Sequence, residues 1–317
     1  MVGFTVIVCP FMVQKAGADT VGSKESKTKN KYQRFHLPQV LSTTIFYLNH
    51  NLNMGQTEIA YELMKAAVSG VSKVQTLGYI KNTFNLTEEQ LTQILNLCNF
   101  KSKPKQINYK EIASRGFQIG ATQRVYPFTQ FYTFNDFLTP EDCQTLIEES
   151  NKKLRPSTVS NVKDEVILSR DRTSKTADLP YFTSTYLNEI DNKITGFMGL
   201  DPFTGEIMQT QKYEPGQYYK AHTDYFHPLT REYKTYTEWM GQRTWTFMLY
   251  LNDVEEGGET YFKHLKLKIK PKQGMAVFWN NLYRNGIPNP KTLHEACPPV
   301  SGEKYVITKW FRSWPLI

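Results

Sequence analysis

YYKAHTDYF, running from Tyr218 to Phe226, sets His222 two residues before Asp224 inside a block of aromatics. The chain has only six histidines in 317 residues, so the placement asks for a reason. Two readings compete. In one, His222 and Asp224 are chance neighbours on a surface strand. In the other they are two ligands of a metal ion, because residues i and i+2 of a strand point to the same face. His-x-Asp is too short a pattern to decide between them, and the decision passes to the rest of the chain.

Downstream, TLHEACPPVSGEKYVITKW begins at Thr292 and carries His294, 72 residues after His222 (294 − 222), with Lys304 ten residues further on. Two histidines and one carboxylate make the facial triad of non-haem Fe(II), which leaves coordination positions open. A keto acid such as 2-oxoglutarate can chelate there, and its distal carboxylate then needs a buried cation. Lysine suits that task as a point charge on a flexible stem. Taken alone, Lys304 reads as an exposed strand residue, since lysine is usually solvated. Beside His-x-Asp and a distant histidine it reads as that cation.

Composition bounds the remaining possibilities. Hydrophobic residues make up 40% and aromatics 14% of the chain, which supports a sizeable core and excludes a disordered protein. The formal charge of +8 favours acidic partners or anionic substrates, so nucleic acid has to be weighed. Part of that charge reads as a solvated face. In LKLKIKPK, Leu265, Leu267 and Ile269 alternate with Lys266, Lys268 and Lys270, the pattern of a half-buried strand whose lysine-lined side guards a sheet edge. The four cysteines, Cys9, Cys98, Cys143 and Cys297, include no C-x-x-C pair. This argues against a cysteine zinc site and implies no disulfide framework.

The chain divides into three parts. Residues 1–34 read as a flexible or targeting segment. GFTVIVCPFMV (Gly3 to Val13) is apolar and AGA (Ala16 to Ala18) follows it, but no basic region precedes the run and Lys15 interrupts the approach to the small residues. The run is too short to span a bilayer, and no later segment is long and apolar enough to do so. A soluble, cytoplasmic chain is favoured over a secreted or luminal one. GSKESKTKNKYQR reads as a flexible linker. Residues 35–105 read as a small helical domain. TEIAYELMKAAVSGV places Ile59, Leu63, Ala66 and Ala67 at helical spacing. Thr87 and Gln90 form a capping box, with Leu86 and Leu91 as a hydrophobic staple. KSKPKQ (Lys101 to Gln106) marks the boundary.

Residues 106–317 are rich in strands. Thr139 and Pro140 predict a helix start, and Leu187, Ile190, Ile194 and Phe197 share a face of a second helix expected over Thr183–Phe197. Strands are expected within Arg243–Asp253, Gly274–Trp279 and Lys304–Trp314. Many short strands separated by turn residues argue for a sandwich or jelly roll. There is no internal repeat and no phosphate-cradling glycine loop.

From about Thr139 to Trp314 the chain resembles the prolyl 4-hydroxylase branch of the Fe(II)- and 2-oxoglutarate-dependent dioxygenases. The resemblance is carried by YEPGQYYKAHTDYF, GQRTWTFMLYLNDVEEGGETYF, KPKQGMAVFW and LHEACPPVSGEKYVITKW, in that order. It implies an α+β fold: a double-stranded β-helix (jelly-roll) catalytic core with flanking helices, preceded here by the small helical N-terminal region. It implies Fe(II) on His222, Asp224 and His294, and 2-oxoglutarate with Lys304 on its distal carboxylate and Tyr213 hydrogen-bonding nearby. O2 is the second co-substrate and ascorbate the reductant. Lysine, where related branches carry arginine, is the pattern of the collagen- and plant-type enzymes.

Further matches concern the substrate. SRDRTSKT resembles the family's R-T-S stretch, which lies on a loop that closes over the peptide, and maps to Arg172, Thr173 and Ser174. Glu206, Tyr219, Arg243 and Trp310 fall on positions that line the peptide groove. The alternative for these residues is core aromatics and surface arginines. A proline-rich peptide presents stiff rings and unpaired carbonyls, so Tyr219 and Trp310 can pack on prolines while Arg172 and Arg243 donate to carbonyls. YFHPLTREYKTYTEWMGQR, from Tyr225 to Arg243, departs from the family pattern and is expected to reshape the groove. The peptide-binding helical domain of animal collagen hydroxylases is not evident in residues 35–105.

The expected activity is peptidyl-proline 4-hydroxylation coupled to oxidative decarboxylation of 2-oxoglutarate, on a proline-containing peptide or protein. Three alternatives stand beside it: a related dioxygenase acting on a lysyl residue, a small molecule or a nucleobase; a non-catalytic jelly-roll binding module; and a hydrolytic zinc site, which leaves Lys304 without a role. Nucleic acid is disfavoured, because no base-flipping or strand-binding signature accompanies the charge. The N-terminal helices offer a surface for a protein partner, although packing on each other or on the next domain is the favoured use.

Overall fold

A computed structural model of the chain describes residues 77–97, 106–115, 121–157 and 171–314, apart from residues 79, 83–84, 124–125, 127 and 239. The apolar N-terminal run, the basic linker and the helical pattern around Ile59 and Leu63 lie outside the described residues. No helix among those described is long and apolar enough to cross a membrane.

The helices are α1 (Glu88–Leu97), α2 (Tyr109–Ser114), α3 (Pro140–Asn151), α4 (Thr185–Met198) and α5 (Arg231–Tyr236). The strands are β1 (Thr122–Gln123), β2 (Phe131–Phe134), β3 (Arg155–Pro156), β4 (Lys175–Leu179), β5 (Met208–Tyr213), β6 (Tyr219–His222) and β7 (Arg243–Tyr250). They continue with β8 (Glu256–Gly257), β9 (Thr260–Phe262), β10 (Leu267–Ile269), β11 (Ala276–Asn280), β12 (His294–Ala296), β13 (Pro299–Ser301) and β14 (Lys304–Arg312).

The helix starts follow their local chemistry. The Thr87 hydroxyl accepts from the Gln90 N–H while the Gln90 side chain accepts from the Thr87 N–H, the reciprocal box expected from the sequence. Thr139 does the same with Asp142, with Pro140 in the first turn. The second expected helix begins two residues late. The Ser184 hydroxyl accepts from the Leu187 N–H and is the N-cap, so Tyr181–Thr183 form a separate 3-10 turn. Its C-cap is Gly199 at φ 59, a left-handed conformation that glycine adopts without steric cost.

The strands assemble into a major sheet of order β1-β2-β11-β7-β14-β5-β4-β3 and a minor sheet of order β10-β9-β12-β6, with β13 and β8 as a separate pair. All pairings along the two larger sheets are antiparallel. The period of two along β7 places its side chains on opposite faces. Trp245, Phe247 and Leu249 pack with Leu146 of α3 and with Leu187, Ile190, Ile194 and Met198 of α4. Met248 and Tyr250 face the other way, among Phe262 and Ile269 of the minor sheet. The result is three layers, helices on the major sheet on the minor sheet, consistent with a jelly-roll core.

The lysine-rich stretch is a shorter strand than expected. Lys266 turns at φ 49, so only Leu267–Ile269 pair with β9. The alternation and the edge position both hold, with Ile269 buried and Lys266, Lys268 and Lys270 exposed. Cys143 and Cys297 are both free thiols.

Candidate active site

His222 ends β6 and His294 begins β12, and the two stand directly opposite each other across the antiparallel pair. Sheet register closes the 72-residue gap, and the imidazole centroids lie 4.4 Å apart. Asp224 lies two residues beyond the end of β6 in a bend, not on the strand as the i, i+2 reading required. It still converges on the histidines, because Thr246 of β7 donates to its Oδ2 at 2.7 Å. One ligand atom from each of His222, Asp224 and His294 lies within 4.8 Å of the others.

The nitrogens are presented for coordination. His222 Nδ1 bonds the Lys220 carbonyl at 2.8 Å, and His294 Nδ1 bonds the Thr292 carbonyl at 2.9 Å. A carbonyl only accepts, so each Nδ1 carries a proton and each Nε2 is the nitrogen left to face a metal. Burial and the neighbouring His294 hold the His222 imidazole down at about 3, so it is neutral at pH 7 as a metal ligand must be. His294, His222 and Arg243 more than offset the burial of Asp224 and keep its carboxyl below the usual range. The rings are fixed by packing: Tyr219 stacks on His222 at 3.6 Å, and His294 lies against Phe262 at 5.2 Å and the Trp279 edge at 5.0 Å. Two imidazole nitrogens and a carboxylate oxygen, held on three separate elements, fit a divalent iron with open positions.

Lys304 begins β14 opposite Tyr213 of β5 and is 1% exposed. Its Nζ crosses to the minor sheet, donating to the Thr260 hydroxyl at 3.4 Å. It lies over the rings of Tyr213 at 5.3 Å and Tyr250 at 5.7 Å. No carboxylate among the described residues pairs with it, and burial pushes its amine down to about 7. Thr260 sits two residues from Phe262 on β9, and Phe262 faces His294. Two strand residues span about 7 Å. Burial pushes the Tyr213 phenol up to about 12, so it stays a donor, in this structure to Gln211 at 3.0 Å.

The other sequence-designated residues form two groups. Arg172 bridges to Tyr219 with its guanidinium 5.0 Å from that ring, and donates to Ser174, Thr176 and Gln209. Ser174 is buried and shares a hydrogen bond with Ser157. Thr173 exchanges contacts with the Tyr218 backbone, so the R-T-S stretch is laced to β6 beside His222. In the second group Glu206 is buried and receives two parallel bonds of 2.7 Å from Arg243, and a third from Arg312 at 2.8 Å. The Arg243 guanidinium lies 4.1 Å over the Trp310 ring. Glu206 therefore aims Arg243 and has no free face of its own. The Trp310 N–H is the one buried side-chain N or O atom among the described residues with no hydrogen-bond partner.

Sequence reading missed Thr246, Tyr250, Thr260, Trp279, Asn281 and Arg312. Part of this was legible: 246, 248 and 250 alternate along β7 toward one face, as 304, 310 and 312 do along β14. The departing segment after Asp224 folds as α5, capped by Thr230. It is tied down by Arg312, which donates to the Gly241 carbonyl at 2.8 Å and to the Tyr236 carbonyl.

Comparison with known proteins bears on this geometry. A family model described as the 2OG-Fe(II) oxygenase superfamily matches residues 208–312, a span that includes all three candidate ligands and Lys304. Prolyl 4-hydroxylase 1 of Arabidopsis thaliana is 35% identical over 194 residues, covering 56% of this chain and 67% of that protein. Probable prolyl 4-hydroxylase 7 of the same plant is 32% identical over 256 residues, covering 74% and 77%. Among solved structures, the 2OG complex of the viral collagen prolyl hydroxylase from Paramecium Bursaria Chlorella virus-1 is 29% identical, covering 57% of this chain and 95% of that one, with a TM-score of 0.46.

Proposed function

This chain belongs to the prolyl 4-hydroxylase family of 2OG-Fe(II) oxygenases, and from that membership we propose that it hydroxylates prolyl residues in a proline-containing peptide or protein. It is an Fe(II)- and 2-oxoglutarate-dependent dioxygenase. When bound, iron with O2 and 2-oxoglutarate supplies the oxidising chemistry that places one oxygen atom on a C–H bond while the keto acid loses carbon dioxide. Ascorbate is the proposed reductant. Residues 106–317 form the proposed dioxygenase domain, with a double-stranded β-helix at its core. The helical domain and the targeting segment expected over residues 35–105 and 1–34 fall mostly outside the described residues.

The chain's residues divide the work. His222, Asp224 and His294 hold the metal. Lys304 receives the distal carboxylate of 2-oxoglutarate, with the Tyr213 phenol as a second donor close by. The single observation that carries this reading is a buried lysine with no carboxylate paired to it among the described residues, its Nζ on Thr260 of the strand whose Phe262 faces His294 of the His-Asp-His cluster. A buried cation costs several kcal/mol unless a counter-charge meets it, and a short dicarboxylate anchored at the cluster supplies one. Arg172, Ser174, Tyr219, Arg243 and Trp310 are the proposed peptide-facing group. Arg243 donates to peptide carbonyls and the aromatic rings pack on proline, while Glu206 holds Arg243 in place. A polyproline-like peptide is already extended, so binding sacrifices little chain entropy.

The test is incubation with a proline-rich peptide library, Fe(II), 2-oxoglutarate and ascorbate, read by product mass. The expected result is one added oxygen on proline rings, abolished by His222→Ala, Asp224→Ala or His294→Ala. Oxygen found only on lysine, on a nucleobase or on a free small molecule would overturn the substrate assignment. Full activity in any of the three variants would overturn the metal assignment.

A further inference from the structure

Behind Asp224 runs a chain of three buried hydrogen bonds. The Trp279 indole N–H donates to Asn281 Oδ1 at 2.9 Å, Asn281 Nδ2 donates to the Thr246 hydroxyl at 2.8 Å, and Thr246 donates to Asp224 Oδ2 at 2.7 Å. All four residues are buried, Thr246 and Asn281 completely. The direction of the chain follows from the first donor. An indole N–H can only donate, so Asn281 must turn its oxygen to Trp279 and its NH2 to Thr246. With that lone pair engaged, the Thr246 proton points to the carboxylate. One oxygen of Asp224 is thereby taken up, and the other, Oδ1, lies 3.8 Å from His222 Nε2 on the side where the ligand atoms gather.

The same residues buttress His294. The Trp279 indole meets the His294 ring in a T-shaped contact at 5.0 Å. The Asn281 carbonyl accepts from the Asn289 N–H at 2.9 Å, and the Asn289 carbonyl accepts from the Thr292 N–H at 3.1 Å. The Thr292 carbonyl is the group that orients His294 Nδ1. Asn281 therefore stands where the supports of two ligands, Asp224 in the bend after β6 and His294 on β12, meet just past the end of β11.

We infer that Trp279, Asn281 and Thr246 are positioning residues that set Asp224 as a one-oxygen metal ligand and hold it in register with His294. This rests on the metal reading above. Partners that orient first ligands typically change metal affinity by roughly 10–100-fold when removed, because the ligand must otherwise be ordered at the moment of binding.

The experiment is Co(II) titration of metal-free full-length protein against a chromophoric competitor, with the Co(II) visible spectrum recorded and peptide and 2-oxoglutarate both absent. Thr246→Val keeps the shape and removes the hydroxyl, Thr246→Ser restores it, and Asp224→Ala removes the ligand. Thr246→Val is expected to bind Co(II) roughly 10–100-fold more weakly with an altered spectrum, and Thr246→Ser to bind like wild type. Should Thr246→Val not fold, Trp279→Phe makes the same comparison: it deletes the first N–H and keeps a ring, with a loss near the lower end of that range. Wild-type affinity and spectrum in Thr246→Val, or in Trp279→Phe where it replaces that variant, overturn the relay and leave the metal centre standing. Wild-type affinity in Asp224→Ala overturns both.

Discussion

Lys304 is the residue whose state depends most on what it meets. Free in solution its amine titrates near 10.4, and inside the protein burial brings it down to about 7. Between those values the unfolded chain holds more protons than the folded one. The contribution of this group to stability is therefore full above the unfolded value and is lost as pH falls toward about 7. A carboxylate ligand reverses the preference, because it favours the charged amine. Binding then takes up a proton above about pH 7, and 2-oxoglutarate affinity is expected to fall as pH rises, by up to about tenfold per unit. Calorimetric titration of the metal-loaded protein on both sides of pH 7 checks this; affinity that rises with pH would show that Lys304 does not carry the carboxylate. Lys304→Ala should weaken 2-oxoglutarate by roughly 3–5 kcal/mol, with Lys304→Arg a partial rescue, since a planar fork does not reproduce a point charge.

At the scale of elements, the site depends on where strands and helices stop. β6 must end at His222 so that the bend can bring Asp224 under Thr246. α3 must be capped at Thr139, because the loop before it is stitched to the turn that starts β11. The Phe137 and Leu138 N–H groups both donate to the Gly274 carbonyl. A Cβ on Gly274, at φ 75, would lie 2.4 Å from the Leu138 oxygen, so this turn requires glycine. Removing the α3 cap by Thr139→Ala is expected to cost about 1 kcal/mol, visible as a lower urea midpoint with an unchanged slope. Metal affinity should not move, because the cap is exposed and its helix packs on the face of the major sheet away from the candidate ligands. A change in Co(II) binding would mean that the helix layer and the ligand cluster are coupled more tightly than these contacts indicate.

Across the whole molecule, a buried ion pair joins the helix layer to the site. Lys309 of β14 reaches Asp191 of α4 at 2.5 Å and the Glu206 carbonyl at 3.0 Å, and Glu206 in turn grips Arg243 and Arg312. Asp191→Ala strands Lys309 in the core and is expected to destabilise the fold by roughly 3–5 kcal/mol, measured by chemical denaturation; a loss under about 1 kcal/mol, the scale of an exposed pair, would show that the lysine escapes to water. The sequence by itself marked His222, Asp224 and His294 as candidate ligands, and it determined the caps at Thr87 and Thr139 and the alternation of β10. Each of these is written within a few positions, by the period of a strand or by one side chain reaching the next turn. The tertiary structure alone decided that His222 faces His294, that Asp224 leaves its strand, that Glu206 holds Arg243, and that Trp279 and Asn281 stand behind Thr246. Those contacts join positions tens of residues apart. Their register follows from packing two sheets over one core, where a slip of one residue would turn every side chain to the opposite face.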